Sequence, residues 1–325
     1  QGFERFARCQ LREIIPTCYL EGYDQLVQQA NSLPWPTKPR FIFTAYNFGA
    51  DEIFKAWAGS KIEEGIPYFV GQHGNNYGTH IYAGNPLWPE RSTSDKFFTW
   101  GWVDETPNVS PAIIFRTVNR KSKRFAPKGG LLLIESNNPP LIWPWDRYFE
   151  FGIYQEEQFR FVAALPEAIR AQLTVRLYRE HKIYPWWSEV QRWQDRCPDV
   201  VLDNGTARIQ GLIARSRLVV HAYDSTGILE GLALNIPTIA FWHEGHNDLL
   251  PSAKPYYELL RRARILADTP EQAAETVALH WNDVSEWWES NTVQDARSAF
   301  CERYARTEEY PVRWLKRLLT AAVKN

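Results

Sequence analysis

Short apolar runs alternate with longer amphipathic stretches along most of this chain, and the alternation is clearest in its second half. Gly129 and Gly130 lead into Leu131–Ile134, the pattern of a buried strand. A helix is predicted over Gln155–Leu165, a strand over Thr174–Tyr178, a Trp-rich helix near Trp186–Trp193 and a short strand at Val200–Leu202. Ala207–Ala214 puts Ile209, Leu212 and Ile213 on one helical face. Leu218–Ala222 then reads as a strand, Thr226–Ala233 as a helix, Pro237–Phe241 as a strand, and Pro255–Arg264 as a helix before Ile265–Ala267. Most of these strands are apolar on both faces. They predict a parallel sheet covered by helices on both sides, which binds its ligand at the carboxyl ends of the strands. A helical tail is predicted over Glu271–Ala322.

The first half carries the same alternation with fewer strands, at Phe41–Thr44, Pro67–Val70 and Lys96–Trp100, and an amphipathic helix over Asp51–Glu64. Between the halves, Arg116–Lys128 holds six basic residues and reads as a linker. The expected organisation is therefore a partial Rossmann-like domain over residues 1–125 and a second one with the helical tail over 126–325. The chain has no methionine and opens on Gln1, and its first half has few strands for a full domain. We therefore expect the N-terminal domain to be truncated.

Composition narrows the function. The 325 residues are 44% hydrophobic and 23% charged, the balance of a globular protein, and two domains are the prior for that length. A net charge of −1 offers no field for a nucleic acid backbone. Cys9, Cys18, Cys197 and Cys301 are scattered without metal-ligand spacing and read as reduced thiols of a cytoplasmic protein. No apolar run is long enough to span a membrane, and no signal peptide opens the chain. Fifteen Trp and 15 Tyr suit stacking on sugar rings, with core packing as the plainer reading. His243, Glu244 and His246 match no common zinc spacing, and no Walker A, Gly-x-Gly-x-x-Gly or Gly-x-Ser-x-Gly pattern occurs.

The strongest chemical signal is the run from Asp224 to Ile239. A strand ends at Tyr223, and Ser225-Thr226-Gly227 leads straight into a helix. The free N–H groups of a helix start and its dipole make an anion site. Ser225 and Thr226 add hydroxyl donors, and Gly227 lets a phosphate approach the backbone. Glu230, one turn further on, is placed to accept hydrogen bonds from a ribose diol. A plain N-cap with a solvated first-turn acid is the alternative.

Other groups stand at predicted strand ends. Gln72-His73-Gly74-Asn75-Asn76-Tyr77-Gly78 follows a buried strand. There His73 could touch a donor phosphate or carboxylate, or carry a proton. Gly74 and Gly78 point to close backbone approach or positive φ, and Tyr77 could line the same pocket. Arg176 and Arg179 flank Tyr178 and suit a phosphate or a sugar carboxylate. Asn137 and Asn138 could read a base or phosphate. Glu21, between Tyr19 and Tyr23, could be partly buried and act as general acid or base.

The Asp224–Ile239 run resembles the donor-binding segment of two-Rossmann-domain (GT-B) glycosyltransferases. The Gln72–Gly78 loop, Ser94–Trp102 and Val175–Tyr178 also resemble a bacterial surface-carbohydrate transferase family, similar to the retaining β-Kdo transferases of capsule and O-antigen lipopolysaccharide. The likeness runs from about Pro16 to Trp288, with Asn75 standing where relatives more often carry glycine. It implies an α/β, GT-B-like fold with a cleft between two domains. It also implies transfer of Kdo from CMP-Kdo to a saccharide or lipid-linked glycan, without cofactor or metal, at the cytoplasmic face of the inner membrane. It makes Asp95 the nucleophile of a covalent, retaining mechanism, with Glu21 and His73 as its catalytic partners. A polyol-phosphate transferase or nucleotide-sugar epimerase of the same fold, and a glycan-binding subunit without catalysis, are the competing expectations.

Overall fold

The computed structural model describes residues 2–83, 85, 87–118, 125–136, 151–179, 188–242 and 248–323. Among these residues, ten strands form two sheets. The first contains β1 (Ile42–Thr44), β2 (Tyr68–Gly71), β3 (Lys96–Thr99) and β4 (Val109–Pro111), side by side in chain order and all parallel. The second contains β5 (Gly130–Ile134), β6 (Leu173–Arg176), β7 (Val201–Asp203), β8 (Ser216–His221), β9 (Thr238–Phe241) and β10 (Leu266–Ala267). Its order is β10-β9-β8-β5-β6-β7, again all parallel. Strand order therefore reverses between β5 and β8, the switch point where such sheets open a crevice. Two Rossmann-like α/β units with a cleft between them are the GT-B-like arrangement expected from the sequence.

Burial explains the parallel pairing. Leu131, Leu132 and Leu133 of β5, and Leu218 and Val220 of β8, have almost no exposure, so both faces of the central strands are covered. β4 was not predicted: Val-Ser-Pro is short, polar in the middle, and lies at the edge of its sheet, where a proline is tolerated. Helices Gly2–Ile14 and Tyr23–Ser32 were also not predicted.

The linker expectation needs revision at its start. Residues 119–124 lie outside the described residues, but Arg116 belongs to a short 3-10 turn, Phe115–Thr117, and faces the second unit. The tail is helical as expected, yet it does not stay with the second unit. Its last helix, Pro311–Ala322, lays Trp314, Leu318 and Leu319 against Phe69 and Phe98 of the first sheet. The apolar stripe of that helix has its counterpart there, so the chain crosses back over the cleft. Most of the tryptophans with very low exposure are core residues: Trp100, Trp193 and Trp288 are fully buried, which favours packing over sugar stacking for them.

Candidate functional site

The carboxyl ends of β5, β6 and β8 open into a cavity of about 1020 Å³. Its floor is the second unit: Glu135, Arg176, Tyr178, Arg179, His221, Tyr223 and the helix start Ser225–Gly227, with Glu230 behind. Its roof comes from the first unit, through Asn75, Asn76 and Arg116.

The helix Thr226–Ala233 has the bounds predicted from sequence. Ser225 is its N-cap, with Oγ accepting from the Ile228 N–H at 3.4 Å and standing 3.3 Å from His221 Nδ1. The Ser225 hydroxyl therefore shapes the turn. Thr226 Oγ1 accepts from the Asn75 N–H at 3.0 Å, so the first-sheet loop is tied to the helix start. A Cβ on Gly227 would lie 2.7 Å from His221 Cε1, so only glycine fits. Asn235, at φ 55°, ends the helix region in a left-handed conformation.

Asp224 fastens the roof. Its Oδ1 accepts from Asn75 Nδ2 at 2.6 Å, and its Oδ2 lies 3.2 Å from His80 Nε2 and 3.3 Å from the Tyr257 hydroxyl. Burial raises its pKa, and His80, Asn75 and Tyr257 oppose the rise. Beside this cluster, residues 79–81 and 248–250 bond across the seam, with Ile81 N–H to Asp248 O at 2.9 Å and Leu250 N–H to Thr79 O at 2.8 Å.

Glu230 is engaged across the cavity by Arg116, whose Nε lies 2.5 Å from Glu230 Oε1. Arg176 is held in the floor by Asp203 at 2.8 Å and by the Ala207 carbonyl at 3.1 Å. Its charge is thus already matched. Arg179 is exposed at the cavity rim and Tyr178 half-buried.

Sequence reading missed Glu135, the residue directly after β5. Its carboxyl is buried, and Oε1 accepts from Trp193 Nε1 at 2.6 Å. Burial first, then the nearby charge of Glu189, push its pKa well up. Position was the available signal, since a polar residue ending the central apolar run must lie at the crevice. His221 and Tyr223, at and just after the end of β8, were missed for the same reason, and Asn76 lay in the Gln72–Gly78 loop without being singled out.

The structure does not bring the expected catalytic residues together. Asp95 precedes β3 and lies at the amino end of its sheet, where its Oδ2 accepts from the Tyr68 N–H at 2.7 Å. The cavity is at the other end of the strands, roughly 10 Å away at about 3.3 Å per residue. Asp95 is thus a backbone cap, not a nucleophile facing the cleft. Glu21 is exposed, and its neighbours Tyr19 and Tyr23 are too, so nothing buries it. The Gln72 side chain holds its own sheet together. Its Oε1 accepts from Trp100 N–H at 3.0 Å and Trp102 Nε1 at 2.8 Å, and its Nε2 donates to Gly74 O at 2.8 Å. Tyr77 is buried with its hydroxyl on Glu90 at 3.0 Å, away from the cavity. Gly78 has φ +70° as expected, whereas Gly74 does not have positive φ and sits beside Thr226.

His73 lies past the end of β2 among the rings of Tyr46, Phe48 and Tyr77, with Nδ1 3.2 Å from the Tyr77 hydroxyl. Burial lowers its pKa, Glu90 opposes this, and the charge of Arg116 adds to it. It is a neutral imidazole behind the roof, not a cavity-wall residue. Asn137, Asn138, His243, Glu244 and His246 lie outside the described residues. Among the described residues, no three His, Cys, Asp or Glu side chains converge as a metal site, and no helix is long and apolar enough to cross a membrane.

A family model for LIC12162 family transferases matches residues 1–319. The chain belongs to that family. The LIC12162 family match covers both sheets and most of the returning helix. The chain has no match among curated proteins. Similar solved structures include MurG of Acinetobacter baumannii, at 11% identity over 93% of this chain and 78% of that one, TM-score 0.46. The calicheamicin glycosyltransferase CalG4 has 10% identity over 92% and 77%, TM-score 0.47. WaaG, a glycosyltransferase involved in lipopolysaccharide biosynthesis, has 13% identity over 92% and 94%, TM-score 0.40. Likeness at this level leaves the reading of this LIC12162 transferase to its own site.

One prediction concerns the floor of the cavity. Burial pushes the His221 imidazole down to about 4 from an ordinary 6.5. As pH falls through 6.5 the unfolded chain takes up this proton first, so stability is lost, and the loss is complete below about 4. Chemical denaturation of wild type and His221→Asn at pH 7 and pH 4.5 measures the contribution. The variant should lose about 2 kcal/mol less between those two values. Equal losses would place the titrating group elsewhere.

Proposed function

We propose that this transferase is a glycosyltransferase that takes its sugar from a nucleotide donor. The observation that carries the reading is the helix start at Thr226 with Glu230 one turn on, both in the wall of a cavity at the sheet's switch point. A phosphate at the helix start meets free N–H groups and the positive end of the dipole. A ribose next to that phosphate reaches Glu230, about 6 Å along the axis at 1.5 Å per residue. The leaving phosphate is then stabilised by preorganised dipoles and an arginine.

CMP-Kdo is the donor to test first, with a saccharide or lipid-linked glycan as acceptor at the cytoplasmic membrane face. Its support is the resemblance of the Asp224–Ile239 run, together with the arginines around the cavity that suit an acidic sugar. A covalent adduct on Asp95 has no part in this reading, because that carboxylate is at the wrong end of the strands.

The test is release of CMP from CMP-Kdo generated in situ, with a saccharide acceptor present. Glu230→Ala should lower kcat/KM roughly tenfold to a hundredfold, the worth of a charge-assisted hydrogen bond to the ribose. Absence of release from CMP-Kdo, together with absence of release from a panel of UDP-, GDP- and dTDP-sugars, would overturn the reading.

A further inference from the structure

Glu230 Oε1 already accepts from Arg116 Nε, so a donor ribose competes with the guanidinium for this carboxylate. In the free protein Arg116 Nε bonds Glu230 Oε1, while the adjacent helix start is the place where a nucleotide phosphate would sit. Arg116 comes from the first unit, in the 3-10 turn Phe115–Thr117, and its side chain is 50% exposed in the cavity wall. Glu230 is the more buried partner, at 17% side-chain exposure, and Arg116 neutralises it in the free protein while keeping half of its own side chain open. Arg176, a cation of the floor, already has Asp203 and a carbonyl.

We propose that Arg116 is the first unit's phosphate-binding residue, held on Glu230 until the donor ribose displaces it onto the phosphate. This rests on the nucleotide-donor reading above. Displacement moves the guanidinium along the helix from Glu230 toward Thr226, about 6 Å at 1.5 Å per residue. The charge then faces the leaving phosphate from the roof, while the helix dipole faces it from the floor. A planar guanidinium suits this position, because it bonds two phosphate oxygens in one geometry. Arg116 and Asn75 both reach across the same seam, so the phosphate would be held from both units.

The test compares two probes that differ only in the phosphate. Binding of CMP and of cytidine is measured by calorimetry for wild type, Arg116→Gln and Arg116→Lys. UDP and uridine are run in parallel. Arg116→Gln should weaken the nucleotide roughly tenfold or more and leave the nucleoside unchanged or tighter, because Glu230 is released to the ribose. Arg116→Lys should recover part of the nucleotide affinity. Unchanged nucleotide affinity in Arg116→Gln, or equal weakening of nucleotide and nucleoside, overturns the role of Arg116 and leaves the donor site standing. Failure of wild type to bind either nucleotide overturns the donor reading and this proposal with it. Arg116 is half-exposed, so its variants should fold, and unchanged circular dichroism verifies this.

Discussion

Gly227→Val is expected to abolish nucleotide binding, with at least a hundredfold loss of affinity, while the chain stays folded. The position leaves no room. A Cβ there would stand 2.7 Å from the buried His221 ring and 3.2 Å from Ser225 Oγ, the atom that caps the helix. Relief requires moving either the ring, which is buried at the end of β8, or the first turn of the helix. Moving the first turn redirects the N–H groups that would hold the phosphate, and the added methyls fill the space that it needs. Overpacking of this kind costs about 1–3 kcal/mol, which a domain of ordinary stability survives. Gly211→Ala is the matched control: it lies in the helix Ile209–Ile213 with open space around its Cβ, and should be neutral or stabilising by up to about 1 kcal/mol. Calorimetry for the ligand and urea denaturation for stability separate the two effects. A Gly227→Val protein that binds CMP or UDP as wild type does would show that the phosphate lies elsewhere.

The same glycine shows why part of this site was legible in the sequence. A strand, a small-residue turn and a helix leave a local signature, because capping and close approach are set by neighbours in the chain. Ser225, Thr226, Gly227 and Glu230 therefore stood out, and the helix bounds were read without error. Strands β5 and β9 of the second sheet were equally plain, since their apolar runs are buried and unbroken.

What the sequence hid depends on contacts between distant segments. Asn75 is tied to Thr226 and Asp224, partners about 150 positions away, and nothing in its neighbourhood announces this. Arg116 looked like one charge in a basic linker until the fold set it against Glu230. Asp95 failed for a related reason. A carboxylate beside a strand is the same local pattern at either end of the strand. Only the pairing with Tyr68 shows that it caps the end away from the cleft. Gln72 and Tyr77 occupy the expected loop, but their polar atoms are taken up by Trp100, Trp102 and Glu90. The loop therefore contributes its backbone and Asn75 to the cavity, not the side chains that looked chemical.

Gly101→Ala should be a strongly damaging single methyl away from the cavity, because it strikes the seam between the two units. Gly101 follows β3 with φ +127°, a conformation that L side chains rarely adopt. A Cβ there would lie 2.6 Å from the Glu302 carbonyl oxygen and 3.0 Å from that of Arg303, both backbone atoms of the helix Asn291–Tyr304. Neither can rotate away as a side chain would. The adjoining bonds are the ones that anchor the returning chain: Arg306 N–H to Trp100 O at 2.9 Å, and Ile114 N–H to Arg306 O at 2.8 Å. Backbone strain of about 1–3 kcal/mol adds to overpacking of about 1–3 kcal/mol, for a loss near 4 kcal/mol in urea denaturation. If the seam also sets the spacing of roof and floor, Gly101→Ala should weaken CMP or UDP binding even at temperatures where it is fully folded. A destabilised variant with wild-type affinity would confine the role of Gly101 to stability. A variant as stable as wild type would mean that the helix after residue 291 does not bear on the end of β3 as described. The seam would then have to be held by the other crossings: Asn75 on Thr226 and Asp224, His80 on Asp224, Arg116 on Glu230, and residues 79–81 on 248–250.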